Sequence, residues 1–402
     1  MTRRGGTLCN APLPLREGSG EGKRPARFTP RPALSPRGSG VALRSLRRAL
    51  LTWYRRTARD LPWRRTCDPY RIWVSEILLQ QTRVETVISY YQRFLAAFPT
   101  VQVLAAAPLT RVLRLWAGLG YYSRARHLHR AARLIASERG GRFPATAAQW
   151  QELPGVGAYT AGAVASIAFG ERVPAVDGNV KRVLARLSCI RQRIGTAAFD
   201  RTVGTLAGQL VPRGAPGEFN QALMELGARV CLPRRPRCDL CPVRHFCAAH
   251  AAGCPSALPL RARKPRVRSV RRVAAAVWRN GAVLLVRRPA TGLLAGLWTL
   301  PGAELRGRAA PSATLKRLAR ESLGGTLLVG PRVGAVQHAF SHKSWRVDVY
   351  ACDLDAPADA LSGADCRWVS RARLAHFPLA AVDCKLLQLG EERGKKGDTT
   401  DF

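Results

Sequence analysis

The chain has 402 residues, 65 of them Lys or Arg against 26 Asp or Glu, for a formal net charge of +39. That length predicts two or three domains with cores of their own. The charge predicts a polyanionic partner, nucleic acid ahead of an anionic membrane, and argues against a small neutral metabolite as the only ligand. No apolar run approaches the roughly 18 residues that a membrane span needs, and with 47% apolar residues the bulk of the chain folds.

Residues 1–40 are rich in Arg, Pro, Gly and Ser and contain no apolar h-region, so they read as a disordered basic tail and not as a secretory signal. A mitochondrial transit peptide has a similar composition, but the Pro and Gly density works against an amphipathic helix.

Residues 41–250 read as helical. From Tyr70 to Phe98 the apolar residues Ile72, Trp73, Ile77, Val84, Val87, Ile88, Tyr91, Phe94 and Leu95 recur at helical spacing, and Pro99 stops the run. Gly118-Leu119-Gly120, Gly140-Gly141 and 212–217 separate further short helices. Within this half, Leu153-Pro154-Gly155-Val156-Gly157-Ala158-Tyr159-Thr160 precedes a small-residue stretch, Ala161–Phe169. Gly155 and Gly157 make either a plain tight turn or one that aims backbone N–H groups outward at a helix start, an anion site suited to a DNA phosphate.

Glu76 lies among Val74, Ile77 and Leu78, so it stands either on a solvated helix face or in a buried site. Asp177 precedes a helical stretch, Gly178–Leu187, and can serve as its N-cap, which leaves room for a chemical role as well. Tyr121 and Tyr122 are either core residues or aromatics presented by a Gly-rich loop.

Eleven cysteines are an odd number, and Cys231, Cys238, Cys241 and Cys247 crowd together as C-x6-C-x2-C-x5-C. That suits a metal centre in a reducing compartment better than a disulfide framework. The spacing by itself admits zinc or iron–sulfur. Arg229, Arg234, Arg235, Arg237 and Arg244 suggest that the centre shapes a phosphate-gripping loop, and Cys254 stands just outside as a spare.

Residues 251–270 are rich in Pro, Arg and Lys and read as a linker. Beyond them Val273–Val277, Val283–Val286, Val333–Val336 and Val347–Ala351 are short β-prone runs, while Ser312–Ser322 and Val382–Leu389 read as helices. The expected second domain is therefore α+β over 271–390, with a polar, frayed tail at 391–402. Gln337-His338-Ala339-Phe340-Ser341-His342-Lys343 reads as a polar β-turn around a buried Phe, and no solenoid repeat is present.

Taken together, the Gly-rich hairpin and the cysteine spacing resemble the helix-hairpin-helix DNA glycosylase superfamily with its [4Fe–4S] loop, as in endonuclease III and the MutY family. The stretch from Asp68 to Thr82 resembles the MutY signature around the catalytic glutamate, and Val176-Asp177-Gly178-Asn179-Val180 resembles the superfamily's aspartate motif. Leu294–Pro301 looks like the Nudix-like C-terminal domain of MutY. The resemblance covers about 41–390.

It implies a mainly α-helical helix-hairpin-helix domain with a [4Fe–4S] cluster on the four cysteines, joined to a C-terminal α+β Nudix-like domain. It further implies an adenine DNA glycosylase of base excision repair, acting on double-stranded DNA that carries adenine opposite 8-oxoguanine or guanine. Glu76 would be the general acid, Asp177 the carboxylate that stabilises the oxocarbenium ion, and Tyr159 and Asn179 positioners. Gln81, Thr82 and Tyr121 would contact the DNA or wedge beside the opposing base, and Phe340, Ser341 and His342 would read the lesion. Lyase-competent relatives carry a lysine where this chain has Tyr159, and a phenol forms no Schiff base, so a monofunctional glycosylase is expected. The Nudix-like domain has only Glu304 and Glu321 between Gly296 and Gly330, too few carboxylates for Mg²⁺ hydrolysis. A cytoplasmic, nucleoid-associated monomer is expected. Two other readings stand beside it: an endonuclease III-like bifunctional enzyme, and a non-catalytic iron–sulfur DNA-binding or redox-sensing protein.

Overall fold

The computed structural model describes residues 40–261, 267–340, 343–356 and 365–397. The N-terminal tail up to residue 39 and the last five residues lie outside them, as does 262–266 of the expected linker. The helical half contains α1 (Gly40–Thr57), α2 (Pro69–Leu79), α3 (Val84–Ala97), α4 (Val101–Ala106), α5 (Leu109–Leu115), α6 (Ser123–Glu138), α7 (Ala147–Gln151), α8 (Ala158–Phe169), α9 (Gly178–Leu187), α10 (Ala197–Leu210), α11 (Pro216–Arg229) and the short α12 (Ala248–Ala251).

Two apolar cores organise these helices. One joins α2 through α8 around Trp73, Trp116, Trp150, Phe94 and Phe98. The other joins α1, α9, α10 and α11 around Leu50, Leu184, Phe199, Phe219 and Leu226. A cleft opens where the two meet.

The apolar run expected from Tyr70 to Phe98 is two helices, broken over Gln80–Arg83. Asp68 starts α2 by accepting from Tyr70 N and Arg71 N, with Pro69 in the first turn, where a missing N–H costs nothing. Arg124 ends it. Its guanidinium donates to the carbonyls of Ile77 at 2.9 Å and Leu78 at 3.0 Å and to that of Gln80, and Gln81 turns left-handed at φ 58°. Apolar spacing continues across the break because both helices face one core, so periodicity alone does not reveal it.

The C-terminal half holds a seven-stranded mixed sheet: β1 (Arg268–Arg279), β2 (Ala282–Arg287), β3 (Trp298–Thr299), β4 (Gly302–Glu304), β5 (Thr326–Ala339), β6 (Lys343–Asp355) and β7 (Cys366–Ser370). The order is β3-β2-β1-β6-β5, with β4 on β1 and β7 on β2, and β1 runs parallel to β6. α13 (Pro311–Leu318) covers one face and α14 (Ala381–Gly397) the other. The four β-prone runs fall inside β1, β2, β5 and β6, whereas the short β3, β4 and β7 escape the pattern.

α14 runs seven residues past the boundary expected at 390, and Glu391 pairs with Arg371 at 2.7 Å, so the polar end is helix at least to Gly397. Part of the expected linker also packs down: Leu260 bridges Arg193 and accepts from Ile194 N at 2.9 Å. Tyr122 joins the two halves by donating to Leu379 O at 3.0 Å.

Candidate active site

The cleft between the two helical cores has a volume of about 600 Å³ and is lined by side chains from α2, α8, α9 and α11. Glu76 enters it from α2. Its side chain is only 5% exposed, which decides between the two sequence readings in favour of a buried carboxyl. Tyr159, in the first turn of α8, donates its phenolic proton to Glu76 Oε2 at 2.6 Å, and the Tyr159 hydroxyl oxygen stands 3.4 Å from Met224 Sδ. Asp177 is the N-cap of α9: it accepts from Val180 N at 2.7 Å and from Asn179 Nδ2 at 2.8 Å. Both carboxyl groups line this one cavity, together with Tyr159 and Asn179.

Their environments differ. Burial pushes the Glu76 carboxyl up to about 7; the Tyr159 hydrogen bond opposes that rise, the nearby Asp177 charge adds to it, and Arg64 opposes it. A group with that value is half protonated near neutrality and can give up a proton. Burial also raises Asp177 above the usual carboxylate range; hydrogen bonds from Val180 and Asn179 and the Arg182 charge offset only part of that rise. Tyr159 lies well above the ordinary tyrosine range because of burial and the two carboxyls, so it remains a donor.

Residues absent from the sequence reading build the far wall. Glu225 on α11 is fully buried and accepts two hydrogen bonds from Arg59, at 2.9 and 2.8 Å, and one from Arg64 at 2.8 Å. Those guanidiniums overcome its desolvation and hold it down to about 2. An acid in phase with the buried Ala222, Leu223 and Leu226 is the trace it leaves in the sequence. Arg182 on α9 donates to Asn179 Oδ1 at 2.9 Å, to Gly227 O at 2.7 Å and to Cys231 O at 2.7 Å, so it ties the Asn179–Asp177 pair to the first cysteine of the cluster loop. Gly227 makes this approach possible: a Cβ there would stand 2.6 Å from Asn179 Cβ.

Of the expected DNA-facing residues, Gln81 and Thr82 line the cleft. Gln81 and Tyr121 both adopt left-handed backbone, at φ 58° and 48°, which lifts their side chains off their loops. Tyr121 is 44% exposed while Tyr122 is buried, so the adjacent tyrosines divide the two readings between them. Arg124 serves both loops, since it also donates to Thr82 Oγ1 and to the carbonyls of Leu119 and Gly120, each at 3.3–3.4 Å. The hairpin turn is exposed between α7 and α8, with Gly155 at φ 77° against His127, where a Cβ would stand 2.4 Å away, and Gly157 as the N-cap. Phe340 lies far from the cleft residues in the chain, at the tip of the β5–β6 hairpin, edge-on to His338 at 4.7 Å and Trp345 at 4.8 Å. Ser341 and His342 lie outside the described residues.

Cys231, Cys238, Cys241 and Cys247 line a single small cavity. Beside it Arg186, 1% exposed, donates to Cys231 Sγ at 3.3 Å and otherwise only to the carbonyls of Leu258, Leu232 and Pro233. A buried cation without a carboxylate fits a group of net negative charge, which four thiolates around an iron–sulfur core supply. Four thiols around one cavity beside a buried guanidinium are a donor set that fits an iron–sulfur cluster. Arg234, Arg235, Arg237 and Arg244 are exposed around it, but Arg229 turns back to Glu225 at 3.7 Å. Cys254 is not among the residues that line the cavity.

Three family descriptions match the chain: an HhH-GPD superfamily base excision DNA repair protein over residues 74–206, an iron–sulfur binding domain of endonuclease III over 231–247, and a NUDIX domain over 273–389. The adenine DNA glycosylase of Rattus norvegicus is 40% identical over 405 residues, which span 87% of this chain and 78% of that protein. That of Homo sapiens is 38% identical, over 84% and 72% of the two chains. That of Schizosaccharomyces pombe is 31% identical, over 88% and 91%.

Proposed function

The chain belongs to the adenine DNA glycosylase family, and from that premise we propose that it releases adenine paired with 8-oxoguanine through Glu76 and Asp177. Membership makes it a monofunctional DNA N-glycosylase of base excision repair that binds DNA and carries a [4Fe–4S] cluster.

Adenine leaves poorly as an anion. Glu76, raised toward neutrality by burial, gives its proton to N7 of the extruded base, and the C1′–N9 bond breaks with its electron pair going to the base. Asp177 remains ionised and offsets the positive charge that grows on the sugar, in the manner of a retaining glycosidase's second carboxylate. Water then adds at C1′ and loses a proton, leaving an abasic site. Tyr159 holds Glu76, and Asn179 holds Asp177. Tyr121 wedges into the stack while Gln81 and Thr82 meet the opposing base. The Gly155–Gly157 turn receives a backbone phosphate. Cys231, Cys238, Cys241 and Cys247 would hold the cluster, which would brace the basic loop beside the duplex.

The observation that carries this reading is the sharing of one cleft by two carboxyls, Glu76 bound to the Tyr159 hydroxyl and Asp177 held by Val180 N and Asn179 Nδ2. Lesion choice rests on the β5–β6 hairpin: the Ser341 hydroxyl would meet the N7–H and O8 that separate 8-oxoguanine from guanine, with Phe340 and His342 supporting it. No helix among the described residues is long and apolar enough to cross a membrane, and the net charge suits a monomer working on the nucleoid in the cytoplasm.

The deciding experiment is single-turnover release of adenine opposite 8-oxoguanine, guanine and thymine, with alkali added to reveal abasic sites. Release fastest opposite 8-oxoguanine, with that advantage reduced in Ser341→Ala, supports the reading. Equal rates opposite all three bases would overturn it.

A further inference from the structure

Tyr122 is 4% exposed and uses its hydroxyl twice. It donates to Leu379 O in the C-terminal domain at 3.0 Å and accepts from Gly118 N at 3.4 Å. Burial pushes this phenol up to about 12, so it stays a donor across the physiological range. Its neighbour Tyr121 is exposed. One short loop, Gly118 to Tyr122, therefore offers an aromatic ring to solvent at one residue and grips a second domain at the next.

That loop needs support. Gly118, Gly120 and Tyr121 adopt left-handed backbone at φ 93°, 70° and 48°, and a tyrosine keeps such a conformation only where its surroundings over-determine it. Three supports come from the helical half. Tyr90 of α3 donates to Ala117 O at 2.7 Å, the Trp116 indole to Gly120 O at 3.1 Å, and Arg124 to the carbonyls of Leu119 and Gly120. Among the described residues, the Tyr122 hydroxyl is the side-chain support that crosses to the C-terminal domain.

Its acceptor is fixed within that domain. Leu379 is buried and bridges Trp298 of β3, whose backbone N–H donates to Pro378 O at 3.1 Å. Phe377 stands edge-on to the Trp298 ring at 5.2 Å, and α14 begins two residues after Leu379. The carbonyl therefore moves only with the sheet and α14 together.

We propose that Tyr122 is a positioning residue that couples the seating of the C-terminal domain to the placement of Tyr121, so that the loop opens the base stack fully only when that domain has closed on the opposing base. When the domain is not seated, the buried hydroxyl loses its acceptor, a cost that favours other loop backbones over the left-handed one at Tyr121. The coupling rests on the wedge role given above to Tyr121 and on lesion reading by the β5–β6 hairpin.

The test uses the full-length, cluster-loaded protein. 2-Aminopurine replaces the target adenine opposite 8-oxoguanine or guanine, and its fluorescence reads extrusion; single-turnover adenine release is followed on matched duplexes. Tyr122→Phe keeps the buried ring and removes the hydroxyl. The advantage of 8-oxoguanine over guanine, in extrusion and in release, should shrink about five- to tenfold, the worth of one buried hydrogen bond, with little change opposite guanine. Phe377→Leu loosens the acceptor's segment from the Trp298 ring and leaves Tyr122 intact. It should give the same pattern, and it decides the matter if Tyr122→Phe does not fold. Tyr90→Phe removes a support of the same loop inside the helical half and should slow release opposite both bases alike, which is the signature of a merely loosened loop.

Tyr121→Ala separates the coupling from the wedge. Loss of extrusion opposite both bases in Tyr121→Ala, combined with a wild-type preference in Tyr122→Phe or a fall opposite both bases alike, would overturn the coupling and leave the wedge standing. Wild-type extrusion by Tyr121→Ala would overturn the wedge and the coupling with it.

Discussion

Tyr159 and Glu76 lie 83 positions apart in the chain and meet through a 2.6 Å hydrogen bond in which the phenol donates to the carboxylate. The bond has two opposed effects on catalysis. It orients the acid, and it also favours the ionised form, so it works against the burial that raises Glu76 to about 7.

Base release should therefore fall with rising pH, by about tenfold per unit once the pH passes 7, because the reactive form of Glu76 is the protonated one. Tyr159→Phe removes a contact that holds the carboxyl down, so the descending limb should move to higher pH while the maximal rate drops roughly tenfold from lost positioning. Single-turnover pH profiles check both effects. A limb that stays in place or moves to lower pH would contradict this account.

Glu76→Gln and Asp177→Asn should each abolish base release, by at least roughly a thousandfold, while duplex affinity changes little. Stability should move the other way for Glu76→Gln. The wild-type carboxyl is raised in the folded state from an ordinary 4.5 to about 7. Its ionisation therefore costs nothing below pH 4.5, erodes stability between 4.5 and 7, and costs about 3 kcal/mol above that. Denaturation at pH 8 should find the variant more stable than wild type, with the difference shrinking toward pH 5. Equal stabilities at pH 8 would mean that Glu76 is not carrying that penalty.

Borohydride should trap no covalent adduct between wild-type protein and substrate DNA, because Tyr159 has no amine to form an imine with C1′. Tyr159→Lys puts an amine in the same cleft beside Asp177 and should gain a trappable adduct, seen as a shifted band on a denaturing gel. A wild-type adduct as strong as that of the variant would show that another amine reaches the sugar.

Arg182→Gln should slow base release about ten- to a hundredfold, the worth of a charged hydrogen-bond donor at a buried site, because Asn179 loses the contact that holds it toward Asp177. Cluster absorbance, read in the same sample, should be retained, since the Arg182 contact to Cys231 is to its carbonyl and not its sulfur. Parallel loss of cluster and activity would place Arg182 in the loop's folding and not in the site.

Much of this protein is legible in its sequence where a local rule decides the outcome. Cap chemistry sets the start of α2 at Asp68 and of α9 at Asp177, and the four cysteines declare their centre by spacing alone. Periodicity failed where one core is shared: α2 and α3 read as a single helix because both turn apolar faces to the same interior, and the turn between them is made by Arg124 from α6. The polar composition after Leu389 suggested fraying, but α14 continues to Gly397, with Glu391 paired to Arg371 on its first extra turn.

What the one-dimensional chain determines, then, is which groups exist and how each local segment starts or stops, since helix caps, turns and cysteine loops are governed by neighbours a few residues away. Whether Glu76 is a solvated side chain or a buried acid, and whether Glu225 is paired, were decided only when distant helices closed around them. Charge–charge and desolvation energies depend on distance in space and on the exclusion of water, and neither is a property of sequence separation.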